Sequence, residues 1–299
     1  MGAVTNEILR AGRFTPATSY QKFAYACASL LLISGAFHGL VFLIDGGSWE
    51  GPVSWRKPIV FGLSFGIMLM TGTWIVGLMR MRTVTGWIVL GLLSAASVAE
   101  VFLITMQRWR GVPSHFNEST PFDAAVFSLM GFLVTWVALA TIVITIRSFW
   151  PMDAPTSLAW AIRIGLVLLL VSQAVGVQMI AEGGSTFGAA GALKVPHAFT
   201  LHALQVLPAL ALLLVVAEFK ESQRLEIIAL AGAGYGLLIG STMVQAYAGL
   251  APLEPSNLAT ALAASGLVVL AVCLGITLRG IAHHVHPPTR PRHLPGPVT

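Results

Sequence analysis

Apolar residues run in eight long blocks, at about 22–44, 58–80, 83–106, 122–147, 157–181, 196–217, 226–249 and 257–280. Each is long enough to cross the hydrocarbon core of a bilayer as an α-helix, which takes about 20 residues. Polar punctuation separates the blocks. Gly46-Gly47, Pro52, Pro113, Pro151, Pro155, Gly183-Gly184, Pro252 and Pro255 fall between them. Pro58, Pro121 and Pro196 stand at block starts, where a missing N–H is tolerated. The pattern predicts an all-α integral membrane protein of about eight transmembrane helices.

Composition supports this class. Hydrophobic residues make up 56% of the chain and charged residues 10%, against about 25% charged in a soluble domain. The net charge of +5 would suit nucleic acid in a soluble protein. Here the basic residues gather at block ends, where they meet anionic lipid, so the expected partner is the bilayer and not nucleic acid. The first block is too long for a signal-peptide core and no small-residue cleavage site follows it, so it reads as an uncleaved helix. Cys27 and Cys273 form no CxxC pair and suggest no zinc site.

Lys and Arg orient the chain. Arg10, Arg13, Lys22, Arg80, Arg82, Arg147, Lys220, Arg224, Arg279, Arg290 and Arg292 fall on one side, and Arg56, Lys57, Arg108, Arg110 and Lys194 on the other. The bias predicts a multipass plasma-membrane protein with both termini cytoplasmic. The connections expected outside, at about 45–57, 107–121, 182–195 and 249–257, are the longer ones and hold the Trp, Pro and His residues that accompany those five cations. Long, distinctive loops gathered on one face often carry function.

The halves align with a nearly constant offset. Asp45-Gly46-Gly47-Ser48 matches Glu182-Gly183-Gly184-Ser185, 137 residues on. Arg56 matches Lys194, Pro58 matches Pro196, Gln107 matches Gln245, Trp109 matches Tyr247 and Gly111 matches Gly249, each 138 residues on. The expected organisation is two parallel four-helix repeats, at 1–150 and 151–282, and a disordered His- and Pro-rich tail at 283–299. A parallel repeat has its pseudo-twofold axis along the membrane normal and favours a site between the halves.

Polar residues inside spans are costly and face protein or a wet cavity. They share helix faces: Ser34, His38 and Asp45; Ser97, Glu100 and Gln107; Gln178 and Glu182; His202 and Gln205; Ser241 and Gln245. All fall in the half of the bilayer away from the cytoplasm. Glu100 is the one acid well inside a span, so it carries either a proton or a cationic partner. It and His115 are the candidate acid or base. Gln107, Gln178, Glu182, His197, Gln205 and Gln245 are candidate ligand contacts, with His197 and His115 expected at the outer surface.

Lys194-Val195-Pro196-His197 through His202, Gln205 and Pro208, with Gln107-Arg108-Trp109-Arg110 through His115 and Asn117, resembles segments of uncharacterised bacterial polytopic membrane proteins. The resemblance covers most of the membrane region and implies a multipass fold. It implies no activity.

His38 and His202 lie at similar depth on different halves. A pair of neutral imidazoles is the ligand set of a haem b, and Arg56, Arg108, Arg110 and Lys194 would then meet its propionates. The leading functional expectation is therefore a haem b membrane redox protein exchanging electrons with quinone or an extracytoplasmic protein. The alternatives are a small-molecule or ion transporter, and a non-catalytic sensor or assembly partner. No nucleotide-binding, zinc-protease or serine-hydrolase motif stands in suitable context.

Overall fold

The structure, a computed structural model, describes residues 16–254 and 256–285. Arg10, Arg13, Pro255 and the tail from residue 286 lie outside the described residues. Eight long helices account for the architecture: α1 Ser19–Asp45, α2 Arg56–Gly77, α3 Thr83–Trp109, α4 Pro121–Ser148, α5 Thr156–Ala181, α6 Lys194–Val216, α7 Glu221–Tyr247 and α8 Asn257–Val285. All eight are long and apolar enough to cross a membrane, which makes this a multipass membrane protein. One short antiparallel hairpin, β1 Thr186–Phe187 with β2 Gly191–Ala192, interrupts the α5–α6 connection. Nothing in the apolar pattern predicted it. α8 continues to Val285, so the first three residues of the segment expected as a tail, 283–285, are helical.

The helix ends follow from local chemistry. Thr18 and Gln21 form a capping box at the start of α1, each side chain bonding the other's main chain. At α4, the Thr120 hydroxyl accepts the Asp123 N–H at 3.1 Å, and Pro121 takes the position whose N–H has no helical partner. Both α3 and α7 end in a Schellman turn. Val112 N–H donates to Gln107 C=O and Gly111 N–H to Arg108 C=O; Leu250 and Gly249 do the same to Gln245 and Ala246. The turns need a left-handed residue, supplied by Gly111 (φ 73°) and Gly249 (φ 71°).

Adjacent helices pack as α1 along α2, α5 along α6 and α7 along α8. At the α1–α2 crossing, a Cβ on Gly62 would stand 2.8 Å from Gly35 Cα, so the two backbones touch. At the α5–α6 crossing, a Cβ on Gly165 would stand 2.7 Å from Leu204 Cα, and Ser172 and Thr200 are fully buried. Their hydroxyls donate to the His197 and Pro196 carbonyls at 2.8 and 2.6 Å. α3 and α6 are the most enclosed spans and α8 the most exposed. α3 also contains a π-helical turn at Trp87–Gly91, beside Gly86, which lies against the Tyr20 ring.

One end of the bundle carries the α1–α2, α3–α4, α5–α6 and α7–α8 connections; it is called the loop-rich end below. The opposite end is tied by Arg147 donating to the Met79 carbonyl and Glu221 accepting the Ser157 N–H at 2.6 Å. Arg80 and Glu218 there adopt positive φ, 48° and 57°, as the chain leaves α2 and α6.

Candidate functional site

Three polar groups meet at the loop-rich end. The first is an aromatic box at the end of α1. The His38 Nδ1–H donates to the Ser34 carbonyl at 2.7 Å, which leaves Nε2 as an acceptor for the Trp109 indole N–H at 3.1 Å. Trp55 stacks on His38 with centroids 5.9 Å apart and meets Trp109 edge-on at 5.0 Å. The Arg108 guanidinium lies 3.7 Å above the Trp55 ring. Asp45 closes the box, accepting the Trp55 indole N–H at 2.7 Å and pairing with Arg108 at 3.8 Å.

The second group is a buried tie between α3 and α4. Asp123 is 2% exposed. Its carboxylate accepts Gln107 at 2.9 Å, Arg110 at 2.6 Å and the Thr120 hydroxyl at 2.7 Å. Arg110 also donates to Gln107 Oε1. The α4 N-terminus favours the negative charge further. Asp123 was not singled out from sequence, although Thr120-Pro121-Phe122-Asp123 is a recognisable helix start that places an acid in the first turn.

The third group is a loop chain. Lys57 Nζ donates to Ser114 Oγ at 3.5 Å, and Ser114 Oγ lies 2.9 Å from His115 Nδ1. His115 packs against Phe61 and Phe116, with centroids 5.6 and 6.2 Å away. Burial, and then the Lys57 charge, push His115 down from 6.5 to about 4. It is therefore unprotonated at neutral pH, which suits a base or hydrogen-bond acceptor and not an acid. Because the folded value lies below the unfolded one, folding favours the neutral ring. The stabilisation is fully present above about pH 6.5 and is lost as pH falls toward about 4, by roughly 2–3 kcal/mol. Thermal unfolding of wild type and His115→Phe across this range should show the melting temperature falling more steeply in wild type. Parallel curves would contradict it.

Glu50 joins the halves across this end. Its carboxylate pairs with Arg56 at 3.5 Å and with Lys194 at 3.8 Å. A second junction lies deeper, where Gln205 Nε2 donates to Met68 Sδ at 3.0 Å and Gln205 Oε1 accepts from His202 Nδ1 at 3.3 Å.

Other expected residues stand apart. Gln178 donates to Glu182 at 2.8 Å on an exposed face, away from the aromatic box. His197, in the first turn of α6 at the loop-rich end, donates its Nδ1–H to the Ser172 carbonyl at 2.8 Å, because α6 packs closely along α5 there. Ser172 carried no sequence signal beyond being a small polar residue in a span. Gln245 donates to the Ala251 and Glu254 carbonyls at 2.8 and 2.6 Å. Glu100 is 1% exposed, and neither carboxyl oxygen has a hydrogen-bond partner among the described residues.

The expected haem ligands, His38 and His202, each hold protein partners here. Both nitrogens of His38 are engaged, and His38 and His202 have separate partners. Among the described residues, no three His, Cys, Asp or Glu side chains are grouped to hold a metal ion. Comparison of the chain with protein-family models, with curated proteins and with solved structures gave no match.

Proposed function

We propose that this protein is a proton-coupled small-molecule transporter built from two tandem four-helix units, with Glu100 as its proton-binding group. The observation that carries the reading is the isolated carboxyl of Glu100 within a membrane span. A lone carboxylate in a low-dielectric interior is costly, so the group holds its proton until a path or ligand reaches it. An ionisable side chain inside a span is a functional candidate for that reason.

The tandem reading has support beyond residue matches. α1 and α5 begin 137 residues apart, at Ser19 and Thr156. α2 and α6 begin 138 apart, at Arg56 and Lys194, and α3 and α7 end 138 apart, at Trp109 and Tyr247. The two Schellman turns correspond bond for bond, and the left-handed residues Arg80 and Glu218 are 138 apart. Non-glycine residues rarely adopt that conformation. The Lys and Arg bias supports cytoplasmic termini in the plasma membrane, with the loop-rich end outside.

Proteoliposomes containing a pH-sensitive dye test the function. A panel of amines, sugars and carboxylates is added outside, and proton movement is followed. At least one compound should drive proton entry through wild type and none through Glu100→Gln. Equal proton movement in the two proteins would overturn the reading.

The haem b redox reading ranks second. It requires His38 to give up Trp109 and rotate Nε2 toward iron. A Soret band from haem-supplied, detergent-purified protein, lost in His38→Ala or His202→Ala, would restore it together with a quinone or extracytoplasmic electron partner.

A further inference from the structure

A cleft of about 340 Å³ opens at the loop-rich end between α7, α8 and the hairpin. It is near the lower end of small-molecule sites, roughly 300–1,000 Å³. Its side chains face it with an unusual chemical bias. Ser241 donates its hydroxyl hydrogen to the Ala259 carbonyl at 2.6 Å, and Thr242 donates to the Ile239 carbonyl at 2.8 Å. Gln245 gives both amide hydrogens to the Ala251 and Glu254 carbonyls, an arrangement that also fixes which end of its amide is oxygen. What remains for a ligand is the lone pairs of Ser241 and Thr242, the Gln245 oxygen and the Glu254 carboxylate. Thr260, at the exposed rim, is the other hydroxyl of the lining. Glu254 accepts one hydrogen bond, from Ala251 N–H at 3.0 Å, and has no ion-pair partner among the described residues.

The first half shows what such walls hold. Gln107 is the counterpart of Gln245. There the Arg110 guanidinium bonds the Gln107 oxygen and Asp123. Arg110 is the residue that caps α3, and Ala248 is the residue that caps α7. Asp123 is two residues into α4, and Ala259 is two residues into α8. Two alanines thus replace the guanidinium and its carboxylate, and Ala259 lines the cleft. We infer that this cleft binds a small organic cation, an alkylammonium or alkylguanidinium, with its N–H donors on Gln245 and Glu254. The acceptor character of the walls stands without the tandem arrangement; the comparison with Arg110 rests on it.

The full chain, purified in detergent, is titrated with n-butylguanidinium by calorimetry, with 1-butanol and butyrate as controls. Butylguanidinium should bind saturably with Kd of about 1 mM or tighter, and butyrate should not bind. Ala248→Arg combined with Ala259→Asp rebuilds the first-half pair inside the cleft and should abolish binding. Glu254→Gln changes an exposed side chain without threatening the fold and should weaken binding by about tenfold, the loss of one charge-assisted contact. Glu100→Gln should leave binding unchanged, so failure of the transport reading is separable from failure here. No saturable binding to wild type, butyrate binding as tightly, or an unaltered Kd in Glu254→Gln would overturn the inference.

Discussion

Glu100→Met should raise the melting temperature of the detergent-purified protein while abolishing proton-coupled transport. The carboxyl is enclosed, and neither oxygen has a hydrogen-bond partner among the described residues. Burying a polar group without a hydrogen bond costs about 1–3 kcal/mol on protein scales. Methionine has similar length, no donor or acceptor to satisfy, and a flexible chain that adapts to the space. The expected gain is therefore about 1–3 kcal/mol. Glu100→Gln keeps the shape and a polar group, so its stability should stay near that of wild type while transport is lost. The pair separates the two roles: a merely structural Glu100 would make Glu100→Met less stable than Glu100→Gln. Thermal unfolding of the three proteins, beside the dye assay, decides it.

Gly62→Ala should destabilise the protein by about 3 kcal/mol, the upper part of the usual range for overpacking. The added methyl would stand 2.8 Å from both Gly35 N and Gly35 Cα, and 3.0 Å from the Leu31 carbonyl oxygen. All three are backbone atoms of α1, so no side chain can swing aside. α1 must move away from α2, and this displaces Trp55, at the start of α2, relative to His38 and Asp45 on α1. Loss of tryptophan fluorescence anisotropy and of melting temperature in Gly62→Ala would register both effects. Gly39→Ala is the control, because nothing lies within 4 Å of its added Cβ. Similar losses in the two variants would show that the close approach is unimportant.

Much of the fold was legible in the sequence because a bilayer leaves few options. A span must satisfy its own main-chain hydrogen bonds and present about 20 apolar residues, so length and apolarity alone mark helices. Gly46, Gly111, Pro121 and Pro196 marked ends for equally local reasons of φ and a missing donor. The helix ends carrying Arg56, Lys57, Arg108 and Arg110 were recognisable because charge is expelled from the hydrocarbon. The site was legible only in part. Gln107, Arg108, Arg110, Trp55 and Trp109 do come together, yet Asp123, which organises the tie between α3 and α4, was not picked out.

The sequence by itself determined the eight helices, their order and roughly where each begins and ends, since each depends on local hydrogen bonding and on transfer from water. Only the tertiary structure decided which face of each helix meets which neighbour. These spans are apolar nearly all round, so periodicity does not mark an inward face as it does for a helix on a soluble protein. That choice rests on shape. Backbone contact at Gly35 and Gly62 sets α1 against α2, and contact of Gly165 with Leu204, beside buried Ser172 and Thr200, sets α5 against α6 and brings His197 to the Ser172 carbonyl. The same packing gives both nitrogens of His38 to partners, leaves Gln178 and Glu182 on an exposed face, and encloses Glu100 with no hydrogen-bond partner among the described residues.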